Sequence, residues 1–339
     1  MAGVFDVRDL ALPVIGAPMA GGPSTPALVA AVSEVGGLGF LAAGYKTPDA
    51  VAAEVDAVRA ATTAPFGVNL FVVESYEPDA ASLDAYRRSL EREAARLGTE
   101  LGEARWEDDC WWAKVDVVLD VRPDIVSFTF GCPSGEVLRQ VAERGVLSSV
   151  TVTSLAEAQV AAARGAASLS VQGPHAGGHR GTWDLAADPD TTPLCDLVSA
   201  VVAVVDVPVV AGGGISDPGG VRSLIEKGAV AAQIGTAYLL AEEAGTNPTH
   251  RAALMNPTLT ETAITRAYTG RWARGLANQF MAHHIDAPAG YPHLHHLTSP
   301  LRKAAVAAGD IQVAHLWAGT GHAHARAAGA ADITRSLAP

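Results

Sequence analysis

Residues 172–181 read Gln172-Gly173-Pro174-His175-Ala176-Gly177-Gly178-His179-Arg180-Gly181 and directly follow the apolar run Ala167-Ser168-Leu169-Ser170-Val171. The run has the length and character of a buried strand, and the loop after it combines glycines, two histidines and an arginine. Glycine lets a backbone approach a ligand closely, and histidine transfers protons near neutral pH. Because α/β folds place their chemistry at the carboxyl ends of strands, the loop predicts a functional site on such a fold.

Seven further apolar segments predict the rest of the sheet. They are almost continuously apolar, which is typical of parallel strands covered by helices on both faces. They span residues 14–19, 38–42, 66–71, 124–130, 148–152, 207–211 and 231–235. Eight strands with helical or loop connections match the size of a (β/α)8 barrel. We therefore predict an α/β protein whose residues 1–240 form a TIM barrel.

Two segments depart from this alternation. Residues 74–120 carry charged residues at helical spacing, so we predict a helical insertion there. After residue 240 the chain is broken at Asn247-Pro248 and Asn256-Pro257, and we expect residues 241–339 to form a C-terminal extension of helices and loops over the barrel mouth. A doubly wound sheet is disfavoured because the early glycines lack the Gly-x-Gly-x-x-Gly spacing.

Composition limits the kinds of binding partner and indicates the cellular compartment. The 339 residues carry a net charge of 24 − 36 = −12, which disfavours nucleic acid and anionic membranes as partners. The three cysteines are far apart and fit a reducing compartment. The most apolar run, residues 197–210, is interrupted by Asp206 and Pro208. It is also shorter than the roughly 20 residues of a spanning helix, so we expect a cytoplasmic protein.

Two glycine-containing segments predict a phosphate site. Ala211-Gly212-Gly213-Gly214-Ile215-Ser216-Asp217 follows the seventh strand, and Gln233-Ile234-Gly235-Thr236 ends the eighth. Loops after these two barrel strands commonly bind phosphate through backbone N–H groups and a helix N-terminus. A flexible turn is the alternative, but each glycine weakens an element by roughly 0.5–1 kcal/mol, so three in a row favour a ligand.

Asn69 and the histidines are the remaining candidates. Asn69 lies inside an apolar strand and needs a hydrogen-bond partner, either a bound heterocycle or a neighbouring backbone carbonyl. His179, flanked by glycines at the end of a strand, is a candidate proton acceptor. No metal is expected, because Gly177-Gly178 prevents a helix that would place His175 beside His179. His293, His295 and His296 likewise lack acidic or cysteine ligands at a usual spacing.

Together these motifs resemble the nitronate monooxygenases, formerly called 2-nitropropane dioxygenases. The resemblance rests on Ala17-Pro18-Met19-Ala20-Gly21-Gly22, Gly67-Val68-Asn69, the loop at 172–181, and the segments at 212–215 and 233–236. Tyr291-Pro292, Leu301-Arg302 and Leu316-Trp317-Ala318-Gly319-Thr320-Gly321 are similar to the tail of class I members. The Ala-Gly-Gly-His core also occurs in flavin-dependent enoyl-acyl-carrier-protein reductases, so it indicates fold and cofactor more firmly than reaction.

The resemblance implies a barrel that binds FMN non-covalently and uses His179 as its catalytic base. The residues that would contact FMN are Met19, Asn69, Gln172, Gly177, Gly213, Gly214, Gln233, Ile234, Gly235 and Thr236. The phosphate would lie near Gly213, Gly214, Gly235 and Thr236. His175 departs from the pattern, because many members have glutamate at this position.

The implied reaction is oxidation of alkyl nitronates, such as propionate 3-nitronate, by O2 to carbonyl compounds and nitrite through a flavosemiquinone. Neutral nitroalkanes would first lose their α-proton to His179, and detoxification of nitroalkanes is the implied role. Two alternatives remain: an FMN-dependent enoyl-acyl-carrier-protein reductase that uses NAD(P)H, and a flavin-binding sensor without turnover. The sequence does not determine the oligomeric state.

Overall fold

The computed structural model describes residues 5–339. Its strands are β1 (Val14–Gly16), β2 (Leu38–Ala42), β3 (Phe66–Phe71), β4 (Ile125–Thr129), β5 (Leu147–Val152), β6 (Ser168–Gln172), β7 (Gly178–His179), β8 (Val209–Gly212), β9 (Ala231–Ile234), β10 (Thr262–Thr265) and β11 (Ala273–Leu276). Its α-helices are α1 (Pro26–Glu34), α2 (Pro48–Ala61), α3 (Ala80–Arg96), α4 (Trp111–Val121), α5 (Gly135–Glu143), α6 (Leu155–Ala163), α7 (Leu194–Val202), α8 (Pro218–Glu226), α9 (Pro248–Leu254), α10 (Gln279–His283), α11 (His293–Ala307) and α12 (Ala330–Leu337).

Eight parallel strands close into a barrel in the order β1-β2-β3-β4-β5-β6-β8-β9, and β9 pairs with β1. The predicted (β/α)8 barrel with a helical insertion and a C-terminal extension is therefore confirmed. The strand predicted for residues 14–19 ends at Gly16, because Pro18 has no N–H to donate to a neighbouring strand. Side chains such as Val68, Val126 and Leu169 are fully buried between the sheet and its helices.

Three barrel helices begin with the same local chemistry. Thr25, Thr47 and Asp217 each accept a hydrogen bond from a backbone N–H of the first turn, and each is followed by a proline at the start of its helix. Such capping satisfies donors that have no partner inside the helix, and the proline costs nothing where no N–H is needed. The polar-then-proline signal in the sequence thus determines where α1, α2 and α8 start.

The insertion and the tail each contribute a helix to the ring around the barrel. Helix α3 packs against α11 of the tail, whereas α4 packs against α2 and α5 and so occupies a place in the ring of barrel helices. At the end of the chain, α12 packs against α1 and α8. Residues 241–329 therefore leave the barrel after β9, and the chain then returns to complete the ring. The division into two units after residue 240 stays a prediction.

A buried ion pair fixes the segment that precedes α4. The Lys114 ammonium lies 2.7 Å from a carboxylate oxygen of Asp109, and both side chains are more than 90% buried. The other Asp109 oxygen accepts a hydrogen bond from the backbone N–H of Tyr45 at 2.9 Å. Burial raises the pKa of Asp109 even though Lys114 opposes that change. The pair thus joins the segment before α4 to the loop after β2.

A small sheet in the order β10-β11-β7 has no counterpart in the sequence prediction. Its strand β7 consists of Gly178 and His179, which pair with Arg274 and Ala273 of β11. Two residues are too few to show strand periodicity, so this pairing leaves no signal in the sequence. The sheet joins the loop at 172–181 to the tail. Among the described residues, no helix combines the length and the apolar character needed to cross a membrane.

Candidate active site

One cavity of about 780 Å³ lies at the carboxyl ends of the barrel strands, with the tail forming part of its wall. His179 and all ten residues predicted to contact FMN line this cavity. The tail contributes residues that include His295, Arg302 and Trp317. The size and the mixed lining are typical of a site for a cofactor together with a small substrate.

The glycines after β8 form a cradle that larger residues would fill. Gly213 and Gly214 have φ angles of +133° and +80°, which side-chain-bearing residues rarely adopt. A Cβ atom on Gly212 would lie 2.2 Å from the carbonyl oxygen of Gln233. Among residues 5–339, no backbone acceptor bonds to the N–H groups of Gly213 or Gly214. Unpaired N–H groups on a glycine turn fit the phosphate of FMN.

The N-terminus of α8 is already capped by a side chain, and its participation in this cradle stays a prediction. The side chain of Asp217 already accepts from the N–H of Gly220 in the first turn of that helix. A carboxylate at this point competes with a phosphate for the same donors and repels it. The second segment instead supplies Gly235 and Thr236 to the cavity. The Thr236 hydroxyl accepts from the N–H of Gly319, which ties the segment to the tail.

The Asn69 amide has one of the two partners that the sequence left open. Its nitrogen lies 3.2 Å from the carbonyl oxygen of Ser127 and 2.9 Å from the hydroxyls of Ser127 and Thr129. Because a carbonyl only accepts, the nitrogen must be the atom that faces Ser127. A backbone carbonyl is therefore one partner of Asn69. Within the described chain, no donor bonds to the amide oxygen, so it is available to an N–H group of a bound heterocycle.

Polar side chains hold the loop at 172–181 in place. The Gln172 amide donates to the carbonyl of His179 at 3.0 Å and accepts from the N–H of Gly181 at 2.8 Å, so it spans the loop. The buried Arg180 guanidinium donates to the carbonyl of Gly173, and Arg274 of β11 donates to the carbonyl of Pro174 at 3.1 Å. These contacts fix the backbone that carries His179.

His179 lies against a threonine on one side and aromatic rings on the others. Its Nε2 is 2.9 Å from the Thr269 hydroxyl. The same hydroxyl lies 3.3 Å from the carbonyl oxygen of Arg271. When the hydroxyl donates to that carbonyl, its oxygen accepts from Nε2–H and the ring lone pair is on Nδ1. The rings of Phe130 and Trp317 lie 5.8 and 5.4 Å away, centroid to centroid. The ring is thus held in one orientation.

The surroundings of His179 keep its ring neutral. Burial, and then the positive charges of Arg271 and Arg302, lower the pKa of His179 to about 3. Arg271 is itself buried, and its guanidinium lies 4.2 Å from the centre of the Phe130 ring. A neutral imidazole is the form that accepts a proton, so His179 is in its basic form at neutral pH.

Comparison with known proteins identifies the family of this chain. A sequence profile described as nitronate monooxygenase matches residues 7–339. The chain belongs to the nitronate monooxygenase family. A nitronate monooxygenase of Pseudomonas aeruginosa is 37% identical over 339 residues, covering 96% of this chain and 95% of that protein.

Solved structures agree with the family assignment. The nitroalkane oxidase of Streptomyces ansochromogenes superimposes with a TM-score of 0.92 at 44% identity, covering 98% of this chain and 96% of that one. FabK from Thermotoga maritima is more distant, with a TM-score of 0.75 at 25% identity, covering 98% and 94%.

The sequence alone did not indicate several residues that the tail of this nitronate monooxygenase family member brings to the cavity or to His179. Thr269 was not considered, Arg302 and Trp317 entered only as motif residues, and His295 only as a possible metal ligand. One signal was present for Arg302. It follows Leu294, Leu297 and Leu301 at the helical spacing of the buried face of α11, where a charged residue is unusual.

The second loop histidine has a different environment. The His175 side chain is exposed and does not line the cavity, while its backbone carbonyl accepts from the N–H of Thr320. Its ring therefore has no role that the geometry identifies. Within residues 5–339, no three His, Cys, Asp or Glu side chains are arranged to hold a metal ion.

Proposed function

We propose that this protein is an FMN-dependent nitronate monooxygenase that oxidises alkyl nitronates with O2 to carbonyl compounds and nitrite. The observation that carries the proposal is the convergence, in one cavity, of a neutral histidine with the glycine cradle after β8. Membership in the nitronate monooxygenase family supports the same reaction.

The residues present fit FMN. Gly213, Gly214, Gly235 and Thr236 would hold the phosphate, and the free oxygen of Asn69 would accept from a ring N–H. When bound, FMN would take electrons from the substrate and pass them to O2. The protein's own contribution is to bind and orient the substrate and to manage its proton.

His179 would remove the α-proton of a neutral nitroalkane through the lone pair on Nδ1. Its low pKa makes it a weak base on its own. The anion that forms on the substrate stabilises the imidazolium beside it. The pKa of His179 therefore rises as the proton is transferred, because the two opposite charges form together. A substrate supplied as a nitronate does not need this step. Thr269 would hold the ring in the required tautomer.

The cofactor and the reaction are tested first on the purified protein. Reconstitution with FMN should give a bound flavin spectrum, and ethyl nitronate under air should release nitrite. A protein that binds no flavin contradicts the proposal. Rapid NAD(P)H oxidation with an enoyl thioester would favour the enoyl reductase, whereas bound FMN without any turnover would favour the sensor.

The base is tested by His179→Asn, with His175→Asn as the matched control in the same loop. We expect His179→Asn to lower kcat/KM for neutral nitroalkanes by about 10²–10⁴, the usual contribution of a general base. Turnover of preformed nitronates should change by less than about threefold, because they carry no α-proton to remove. His175 is exposed, so His175→Asn should leave the turnover of both substrates unchanged. Equal losses on both substrates in His179→Asn would contradict the assignment.

A further inference from the structure

Helix α11 brings a buried arginine to the cavity wall. Arg302 lines the cavity, yet only 7% of the residue is exposed. Its Nε donates to the Thr298 hydroxyl at 3.0 Å, and its Nη2 donates to the ring Nδ1 and the carbonyl of His295 at 3.2 and 2.9 Å. A hydroxyl, an imidazole and a carbonyl are all neutral acceptors.

The charge of Arg302 is therefore left without a counter-ion among its partners. The tyrosines around it do not supply one, because burial raises the pKa of Tyr45 to about 12 and raises the pKa of Tyr291 well above its usual value. A buried cation that lacks an anionic partner is unfavourable, and an anion entering the cavity would relieve that cost. The cavity wall formed by α11 thus favours a negatively charged ligand.

Arg302 also determines the tautomer of His295. A guanidinium only donates hydrogen bonds, so Nδ1 of His295 must be the acceptor, and the ring hydrogen is on Nε2. The ring stacks on Tyr45 with centroids 4.3 Å apart and planes 6° apart, which fixes its orientation. Burial and the charge of Arg302 lower the pKa of His295, so the ring stays neutral. Within the described chain, no acceptor bonds to this Nε2–H.

We propose that the Nε2–H of His295, backed by the charge of Arg302, forms an anion subsite for the two oxygens of the substrate's nitro or nitronate group. This inference rests on the proposed function. When His179 takes the α-proton, the C–H electron pair moves toward the nitro group and leaves a negative charge on its oxygens. The His295 donor then strengthens its hydrogen bond as that charge develops.

The two histidines line the same cavity and share a neighbouring ring. The Tyr291 ring contacts both, with its centroid 6.1 Å from that of His179 and 6.2 Å from that of His295. His295 carries its hydrogen on Nε2, because its Nδ1 accepts from Arg302. His179 has the same tautomer when its Nε2–H donates to Thr269, and it then differs from His295 in offering the lone pair on Nδ1 to the substrate. One ring would accept the proton while the other donates to the anion.

The test compares His295→Phe with His295→Gln in the FMN-reconstituted protein. Phenylalanine keeps the stack on Tyr45 but has no donor, whereas glutamine places an N–H near the position of Nε2. Nitrate is the probe, because it is planar and presents oxygens on nitrogen as a nitronate does. Calorimetric titration should show the nitrate Kd rising at least about tenfold in His295→Phe and returning to within about threefold of wild type in His295→Gln.

Lys303→Met is the control, since Lys303 lines the same cavity but is exposed. It should change the nitrate Kd by less than about threefold if the effect belongs to His295. An unchanged Kd in His295→Phe, or an equal loss in Lys303→Met, overturns the subsite. Nitrate binding with the expected pattern but no nitrite release from ethyl nitronate supports the subsite and contradicts the proposed function. Nitrite release together with an unchanged nitrate Kd in His295→Phe supports the proposed function and contradicts the subsite.

Discussion

Replacing Gly177 by alanine tests how the loop and the tail support the cofactor site. An added Cβ would lie 2.4 Å from the backbone nitrogen of Gly319 and 2.6 Å from the carbonyl carbon of Ala318. Carbon atoms pack at about 3.5–4.0 Å, so the two segments must separate by roughly 1 Å. Both contacts are backbone atoms, and a rotamer change cannot relieve them.

The cost follows from the contacts that separation would break. Overpacking of this kind costs about 1–3 kcal/mol. The N–H of Gly319 donates to the Thr236 hydroxyl at 2.9 Å, and losing that bond adds about 0.5–1.5 kcal/mol. We therefore expect Gly177→Ala to lower the free energy of unfolding by roughly 2–4 kcal/mol. Because Thr236 belongs to the proposed phosphate site, the Kd for FMN should rise about tenfold.

Gly178→Ala is the matched control in the adjacent position. Gly178 has a φ of +74° and no heavy atom near its added Cβ, so alanine there costs only the left-handed backbone strain of roughly 1–2 kcal/mol. Urea unfolding would measure stability, and quenching of flavin fluorescence would measure FMN affinity. The reasoning is refuted if the two variants bind FMN equally well, because the effect would then not come from the contact with the tail.

Two predictions concern stability alone. The pKa of buried His250 is lowered to about 4, so the unfolded chain binds a proton below about pH 6.5 that the folded chain does not. The contribution of neutral His250 to the free energy of unfolding is therefore complete above pH 6.5 and decreases toward pH 4. Between pH 7 and pH 5 the wild type should lose about 2 kcal/mol from this source, and His250→Gln should not show that loss in urea unfolding. A loss of the same size in the variant would exclude His250 as its source. Lys114→Met should cost about 3–5 kcal/mol because it leaves the Asp109 carboxylate buried without its partner, and the double variant with Asp109→Asn should recover part of that loss in the same assay. No recovery would mean that the isolated charge is not the cause.

The sequence by itself determined the barrel and the residues that line its mouth from the barrel side. Apolar runs, helix caps and glycine turns are local signals, since each depends on residues a few positions apart. For this reason the sequence is sufficient to locate the loop with His179, the cradle at Gly213 and Gly214, and the segment ending at Thr236.

The tertiary structure alone decided what faces these residues. The contact between Thr269 and His179 joins positions 90 residues apart, through a two-residue strand too short to have a pattern. The tautomer of His295 depends on Arg302, which lies two turns further along the same face of α11 and is buried there. Such effects arise from packing between distant segments. Local sequence therefore located the proposed base and the proposed phosphate loops, whereas the hydrogen bonds and the charges around them depend on the fold.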